Sequence, residues 1–193
     1  MTNHLTVLQQ TNKMNFKYKE EIMEDSEAGK KCCFTGHRPE KLPWGTNETD
    51  DRCLALKSWI DQAILDAWND GYVYFISGMA QGCDLYFCEE VLKFRSVHPE
   101  IQLEAAIPYP GQSDSWPRDQ QIRWKELIQK CDFKRIIQQK YTENCMARRN
   151  LYMVVHSSRI IAVFNDSPGG TKQTLEYARA NNLKICMVNP NFL

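Results

Sequence analysis

The stretch Arg159-Ile160-Ile161-Ala162-Val163-Phe164-Asn165-Asp166-Ser167-Pro168-Gly169-Gly170-Thr171-Lys172-Gln173-Thr174 decides the fold. Its first six residues are an apolar run that reads as a buried strand. Residues Thr171 to Asn182 have helical spacing, so a strand turns directly into a helix. Gly169 and Gly170 lie at the join. Two glycines there let backbone approach a ligand closely, and a helix N-terminus offers free N–H groups to an anion. With the hydroxyl of Thr171 beside them, these residues have the chemistry of a phosphate or ribose-phosphate cradle. A tight turn without a ligand is the simpler reading of the same residues.

Strands and helices alternate outward from this unit. Lys31 to Thr35 reads as the first strand. Asp50 to Asn69 reads as a helix, because Cys53, Leu56, Ile60, Ala63, Ile64 and Ala67 recur at helical spacing, with Thr49 as N-cap. Tyr72 to Ser77 is the second strand and Cys83 to Ser96 the next helix. Ile101 to Ile107 is the third strand, stopped by Pro108-Tyr109-Pro110-Gly111. Ser115 to Lys130 holds a helix with Pro117 in its first turn, and Phe133 to Gln138 is the fourth strand. Thr142 to Ser157 is a helix capped by Thr142, with Ala147, Leu151, Val154 and Val155 toward the core. The unit at Arg159 follows, and Lys184 to Val188 is the last strand. This alternation predicts an α/β fold of the Rossmann-like, doubly wound kind: a mostly parallel sheet with helices on both faces. Ligands of such sheets bind at the carboxyl ends of the strands, near the switch in strand order.

Composition sets bounds on function. The chain has 193 residues, with 24 Lys+Arg and 24 Asp+Glu. That balance supplies no global basic field for nucleic acid. No apolar run is long enough to span a membrane, and no apolar segment near the N-terminus reads as a signal peptide, so a cytoplasmic location is expected. Residues 1–29 are polar and read as an N-terminal extension, leaving a domain over 30–193. The eight cysteines, at 32, 33, 53, 83, 88, 131, 145 and 186, form no Cys-x-x-Cys pair. They read as small core residues in a reducing compartment, and no metal site is expected.

Three further motifs carry polar chemistry. After the first strand, Gly36-His37-Arg38-Pro39 permits a sharp exit and presents donors, the Arg fork being suited to a phosphate. After the second, Gly78-Met79-Ala80-Gln81-Gly82-Cys83-Asp84 is a glycine-bounded turn whose amides could face a phosphate. Asp84 there accepts from ribose hydroxyls or stabilises the helix N-terminus. Arg149 and Asn150 are about 100° apart on one helix, so both can border one cleft. Among Trp44, Tyr109, Trp116 and Trp124, base stacking suits Trp44 or Tyr109, with core or rim packing the plainer role for each.

In this order, Gly-His-Arg-Pro, Gly-Met-Ala-x-Gly-x-Asp, Arg-Asn-x-x-Met-Val and Gly-Gly-Thr-x-x-Thr resemble the YpsA-like branch of the SLOG superfamily. That superfamily also holds the DNA-processing protein DprA and the Lonely Guy (LOG) phosphoribohydrolases. The resemblance covers about residues 30 to 190. It implies a Rossmann-like domain whose glycine motifs bind a nucleotide or nucleotide-derived ligand, of the ADP-ribose or nucleoside monophosphate class, with no required cofactor. The implied ligand-binding set is Gly36, His37, Arg38, Gly78, Met79, Ala80, Gly82, Asp84, Arg149, Asn150, Gly169, Gly170, Thr171 and Thr174.

The chain also departs from its relatives. LOG enzymes carry Pro-Gly-Gly-x-Gly-Thr-x-x-Glu and Met-x-x-Arg-Lys-x-x-Met. Met146 to Met153 matches the second with Asn150 in the Lys position, whereas Pro168 to Thr174 is two residues short and ends on Thr174 where the Glu belongs. A Thr cannot stabilise an oxocarbenium-like centre or do acid–base work near neutral pH. Glu176 lies about 200° further round the helix. The YpsA-like pattern also leads one to expect acidic residues at the positions of Val155 and Arg159. Ligand binding or sensing is therefore the expected function, with reaction unassigned. The alternatives are a nucleotide N-glycosidase using Asp84 and a DprA-like single-stranded DNA groove of Lys134, Arg135, Lys140, Arg148 and Arg149. A homo-oligomer is compatible with these readings.

Overall fold

The computed structural model describes residues 30–193, so the N-terminal extension at 1–29 lies outside the described residues. Six strands, β1 (Lys31–Thr35), β2 (Tyr74–Ser77), β3 (Gln102–Ile107), β4 (Phe133–Ile136), β5 (Arg159–Val163) and β6 (Lys184–Val188), form one sheet in the order β4-β3-β2-β1-β5-β6. Every pairing is parallel, as the right-handed crossovers of an alternating chain require. Chain order runs outward from β1 to β4 on one side and from β5 to β6 on the other. The switch in strand order thus falls between β1 and β5, which pair from Cys32 opposite Arg159 to Thr35 opposite Ala162.

The pleat sends alternate residues to opposite faces. Cys32, Phe34, Phe75, Leu103, Ile161 and Val163 face the helices α1 (Asp51–Asn69), α2 (Cys83–Arg95) and α3 (Arg118–Lys130). Phe34 stacks on Phe87 of α2 with ring centroids 4.5 Å apart. Cys33, Ile76, Ala106 and Ile160 face α4 (Cys145–Val155), and Ala162 packs with Leu175 of α5 (Gly170–Ala180). Helices therefore cover both faces, and the adjacent Cys32 and Cys33 enter different cores.

Several element ends differ from the sequence reading. Asp50, not Thr49, caps α1, its carboxylate accepting from Arg52 N at 3.0 Å, while Thr49 turns back to Asn47. α3 starts after Pro117 rather than at Ser115, since Pro fixes the preceding turn. α4 starts at Cys145, because the Thr142 hydroxyl bonds Asn144 and its carbonyl takes the Cys145 amide. α4 is buried continuously from Arg149 to Val154, not along one apolar stripe, because it is wedged against the sheet and α5. Val155 is half-buried at its end. Arg159 is buried at the start of β5 and pairs with Asp70 at 2.5 Å, at the sheet edge opposite the strand C-termini.

Gly36 leaves β1 directly against the first residue of α2: a side-chain carbon added there would collide with Cys83 Cβ. Gly36→Ala is expected to lower the free energy of unfolding by about 2–3 kcal/mol through overpacking. Urea denaturation measures this, and an unchanged midpoint would contradict the packing described.

Candidate functional site

A cleft of about 310 Å³ opens at the C-terminal edge of the sheet, over the β1/β5 switch. Its walls come from the loop after β1, the β2 turn and the start of α2, the buried face of α4, and the start of α5. Of the residues singled out in the sequence, Gly36, His37, Arg38, Ala80, Asp84, Arg149, Asn150, Gly170 and Thr171 line it. Gly78, Met79, Gly82, Gly169 and Thr174 do not. The sequence reading missed Thr35, Glu40, Lys41, Met146 and Met153. Met146, Arg149, Asn150 and Met153 share one stripe of α4, a signal present in the i, i+3, i+4, i+7 spacing.

The β2 turn is not the open amide cradle expected of it. Met79 N donates to Ser77 Oγ at 3.1 Å, Ala80 N to Asp84 Oδ2 at 3.2 Å, and Cys83 N to His37 O at 3.2 Å. Those three amides are spent inside the protein. The turn is instead the seat of a buried charged group. Gly78 O accepts from Arg149 and from Gln112 Nε2, and a Cβ on Gly78 would collide with the Arg149 guanidinium and lie 2.8 Å from Asp84 Oδ2. Gly82 holds φ +80°, and a Cβ there would sit 2.8 Å from His37 O. Met79, at φ +56°, turns its side chain into the core. These three residues shape the floor rather than touch the cleft.

Asp84 and Arg149 are both buried at that floor. Burial pushes the Asp84 carboxyl up to about 6, against the pull of Arg149, the Ala80 amide and Arg38. Burial likewise lowers the Arg149 guanidinium, and Asp84 partly restores it. Arg149 Nε donates to Asn150 Oδ1 at 2.8 Å, so the two helix neighbours act together.

His37 is also spent. Its Nε2 accepts the Asn165 amide at 3.0 Å, which places the ring proton on Nδ1. Burial and the nearby Lys41 ammonium lower its pKa, while the Asn165 bond raises it. The ring is thus a neutral clasp between the β1 and β5 loops, not an anion donor at Nε2. Thr171 donates to Gly36 O at 3.1 Å and closes the same gap.

At α5 the glycine turn is open. Gly169, at φ +138°, is the N-cap without a side-chain cap, and Gly169 and Gly170 are exposed. The first amides of a helix have no partner within it. Lys41 reaches over this turn: it donates to Pro168 O, and a Cβ on Gly169 would lie 2.9 Å from its Nζ. Thr174 instead is fully buried and donates back to Gly170 O at 2.7 Å. Glu176 is exposed outside the cleft lining, so the carboxylates lining it are Asp84 and Glu40.

This sheet order, with glycine turns and buried polar groups gathered at its switch point, defines a Rossmann-like α/β domain. The family model described as the YspA SLOG family matches residues 32–191, and the chain belongs to that family. It is 30% identical over 132 residues to the uncharacterized SPbeta prophage-derived protein YoqJ of Bacillus subtilis, covering 61% of this chain and 77% of that protein. A UPF0398 protein of Halalkalibacterium halodurans is 27% identical over 150 residues, covering 76% of this chain and 78% of that one. The X-ray structure of DNA processing protein A (DprA) from Streptococcus pneumoniae superposes with a TM-score of 0.53 at 12% identity. That match covers 82% of this chain but only 50% of DprA, and at this identity it shows a shared fold.

Asp84 takes up a proton on folding, since its pKa moves from 3.8 to about 6. Its contribution to stability is complete below about pH 4 and is lost as pH rises through 6. Between pH 4 and 7.5, Asp84→Asn should gain on the wild type by on the order of 2–3 kcal/mol. Denaturation at both pH values measures this; a difference independent of pH would contradict the buried carboxyl.

Proposed function

We propose that this chain binds a small nucleotide or nucleotide-derived ligand, of the nucleoside monophosphate or ADP-ribose class, in the cleft over the β1/β5 switch. One observation carries the reading: an uncapped, glycine-exposed helix N-terminus with a lysine over it opens into the same cleft as the buried Asp84, Arg149 and Asn150. An anion suits the first part, and ribose hydroxyls suit the second. Membership of the SLOG family and the DprA-like fold support a nucleotide-related role. The cleft volume of about 310 Å³ lies at the lower end of small-molecule sites, which run from about 300 to 1,000 Å³, and favours a mononucleotide.

A binding or sensing role fits the loss of the helix carboxylate at Thr174. A second reading, hydrolysis of a nucleotide N-glycosidic bond, draws on the position of Asp84. Its carboxyl, near pKa 6 and inside the cleft, is tuned for proton transfer close to neutral pH. The DNA-groove reading loses Arg149, which is buried, while Lys134, Arg135, Lys140 and Arg148 are exposed. Among the described residues no helix is long and apolar enough to cross a membrane.

Thermal shift against nucleoside monophosphates, ADP-ribose and ribose 5-phosphate should show a rise in melting temperature with at least one phosphate-bearing compound. Lys41→Ala should weaken that compound about tenfold, the scale of a lost charge-assisted hydrogen bond, without weakening the parent nucleoside. No shift from any compound rejects the reading. For the hydrolytic alternative, free base should appear from a nucleoside monophosphate and vanish in Asp84→Asn. Wild-type protein that releases no base from the common monophosphates rules it out.

A further inference from the structure

Three side chains of the cleft carry a donor that the protein leaves unused. Thr35 ends β1 and is only 6% exposed, yet its hydroxyl has no hydrogen-bond partner among the described residues. That hydroxyl is not sealed in the interior, since Thr35 lines the cleft. Asn150 is 7% exposed. Its Oδ1 accepts from Arg149 Nε at 2.8 Å, which assigns the other amide atom as Nδ2, and Nδ2 bonds nothing among the described residues. Arg149, 5% exposed, uses Nε on Asn150 and Nη1 on Gly78 O. Its Nη2 is left over, and its guanidinium makes no ion pair among the described residues. Buried polar groups are ordinarily satisfied, so three open donors around one cleft call for a ligand that brings acceptors.

These donors gather at the first turn of α5. The pleat puts Thr35 on the same side of the sheet as Cys33, the side that α4 and α5 cover. Gly36, the next residue, accepts from the Thr171 hydroxyl at 3.1 Å, which ties the end of β1 to that turn. On the α4 side, Asn150 Nδ2 lies 3.6 Å from where a Cβ of Gly170 would stand, and Arg149 is held to Asn150. The first bond within α5 runs from Gln173 N to Gly169 O at 3.1 Å, so the N–H groups of Gly170 and Thr171 precede the helical ladder. One seat is thus approached from three elements: main-chain N–H groups from α5, a carboxamide and a guanidinium from α4, and a hydroxyl from β1.

A phosphate monoester matches this set. Its three terminal oxygens only accept, and its single ester oxygen leaves in a fourth direction. The open direction here is the cleft mouth, where Arg38, Glu40 and Lys41 are exposed. A phosphodiester, or either phosphorus of a pyrophosphate bridge, has two substituents and two terminal oxygens. One substituent would then be driven against α4, α5 or β1, and some of the donors would stay unpaired.

We infer that Thr35, Arg149 and Asn150 complete a closed anion seat at the α5 N-terminus, which selects a terminal phosphate monoester over a phosphodiester or a pyrophosphate. The inference rests on the nucleotide-binding reading and narrows its ligand to the monophosphate class. Arg149 and Asn150 turn to the phosphate, and Asp84 is left for hydroxyls of the attached sugar. Thr35 becomes a specificity residue that no glycine motif marks, because it closes the run Lys31-Cys32-Cys33-Phe34-Thr35.

Isothermal titration tests this with AMP, GMP, CMP and UMP, their 5′-methylphosphate diesters and ADP-ribose, on wild-type protein, Thr35→Val and Thr35→Ser. Wild type should bind at least one monophosphate about tenfold more tightly than its methyl diester and than ADP-ribose. Thr35→Val keeps the shape and removes the hydroxyl. It should weaken that monophosphate about tenfold, the scale of a lost hydrogen bond to a charged group, and Thr35→Ser should restore binding. Free Thr35→Val should melt no lower than free wild type, because the hydroxyl bonds nothing without ligand. A clearly lower melting temperature shows that the hydroxyl serves the fold and overturns the inference. A methyl diester or ADP-ribose bound as tightly as the monophosphate overturns it and leaves the nucleotide cleft standing. Equal affinity of wild type and Thr35→Val for the monophosphate does the same. Binding of none of these compounds overturns the seat and the nucleotide reading together.

Discussion

The exit of the chain from β1 is the constraint on which the rest depends. Gly36 leaves the sheet with no room for a side chain because α2 begins against it. The next residue, His37, gives its carbonyl to the first amide of α2 and its ring to the loop after β5. Thr171 then reaches back from α5 to Gly36 O. One short turn thus fixes where α2 starts, where α5 starts and how far apart β1 and β5 open at their ends. Any of these could exist alone; their common dependence on a two-residue segment makes the cleft a fixed shape rather than a gap between loops.

The floor of that cleft runs against the usual economy of a protein interior. Asp84 and Arg149 are buried together, and desolvation opposes the charge on each while the other favours it. Met79 holds a left-handed backbone conformation that non-glycine residues seldom adopt. Gln112 keeps its Oε1 without a partner although the residue is buried, because its amide nitrogen is committed to two carbonyls of the β2 turn. Three unfavourable arrangements thus gather in one turn and its supports, beneath the floor of the cleft.

Most of the fold was legible in the sequence because its periodicities are strong. The apolar runs at β1, β5 and β6 and the helical spacing from Cys53 to Ala67 needed no tertiary information. Element ends were less legible, since Thr49 and Asp50 are both competent caps and only the carboxylate geometry of Asp50 decides between them. At the site, the order of motifs brought most of the lining residues to light, but not what each atom does. That Ala80 N is taken by Asp84, or that His37 accepts from a residue 128 positions away, is settled by contacts between distant segments. Lys41 was overlooked for the same reason: its partner, Pro168 O, lies 127 residues further on, so nothing in its neighbourhood marks it. Thr174 was read from a family pattern as a ligand residue, whereas its hydroxyl bonds the preceding turn of its own helix and is fully enclosed.

The switch in strand order also divides the molecule. β1 to β4 with α1 to α3 form one winding, and β5 and β6 with α5 form the other, joined along the β1/β5 ladder. The cleft lies at the open end of that joint, where the sheet's own hydrogen bonds have run out. A molecule that touches both the Arg38 and the Gly170 sides of it acts as a rung added beyond the last backbone pair. Occupancy would then read out as added cohesion between the two windings.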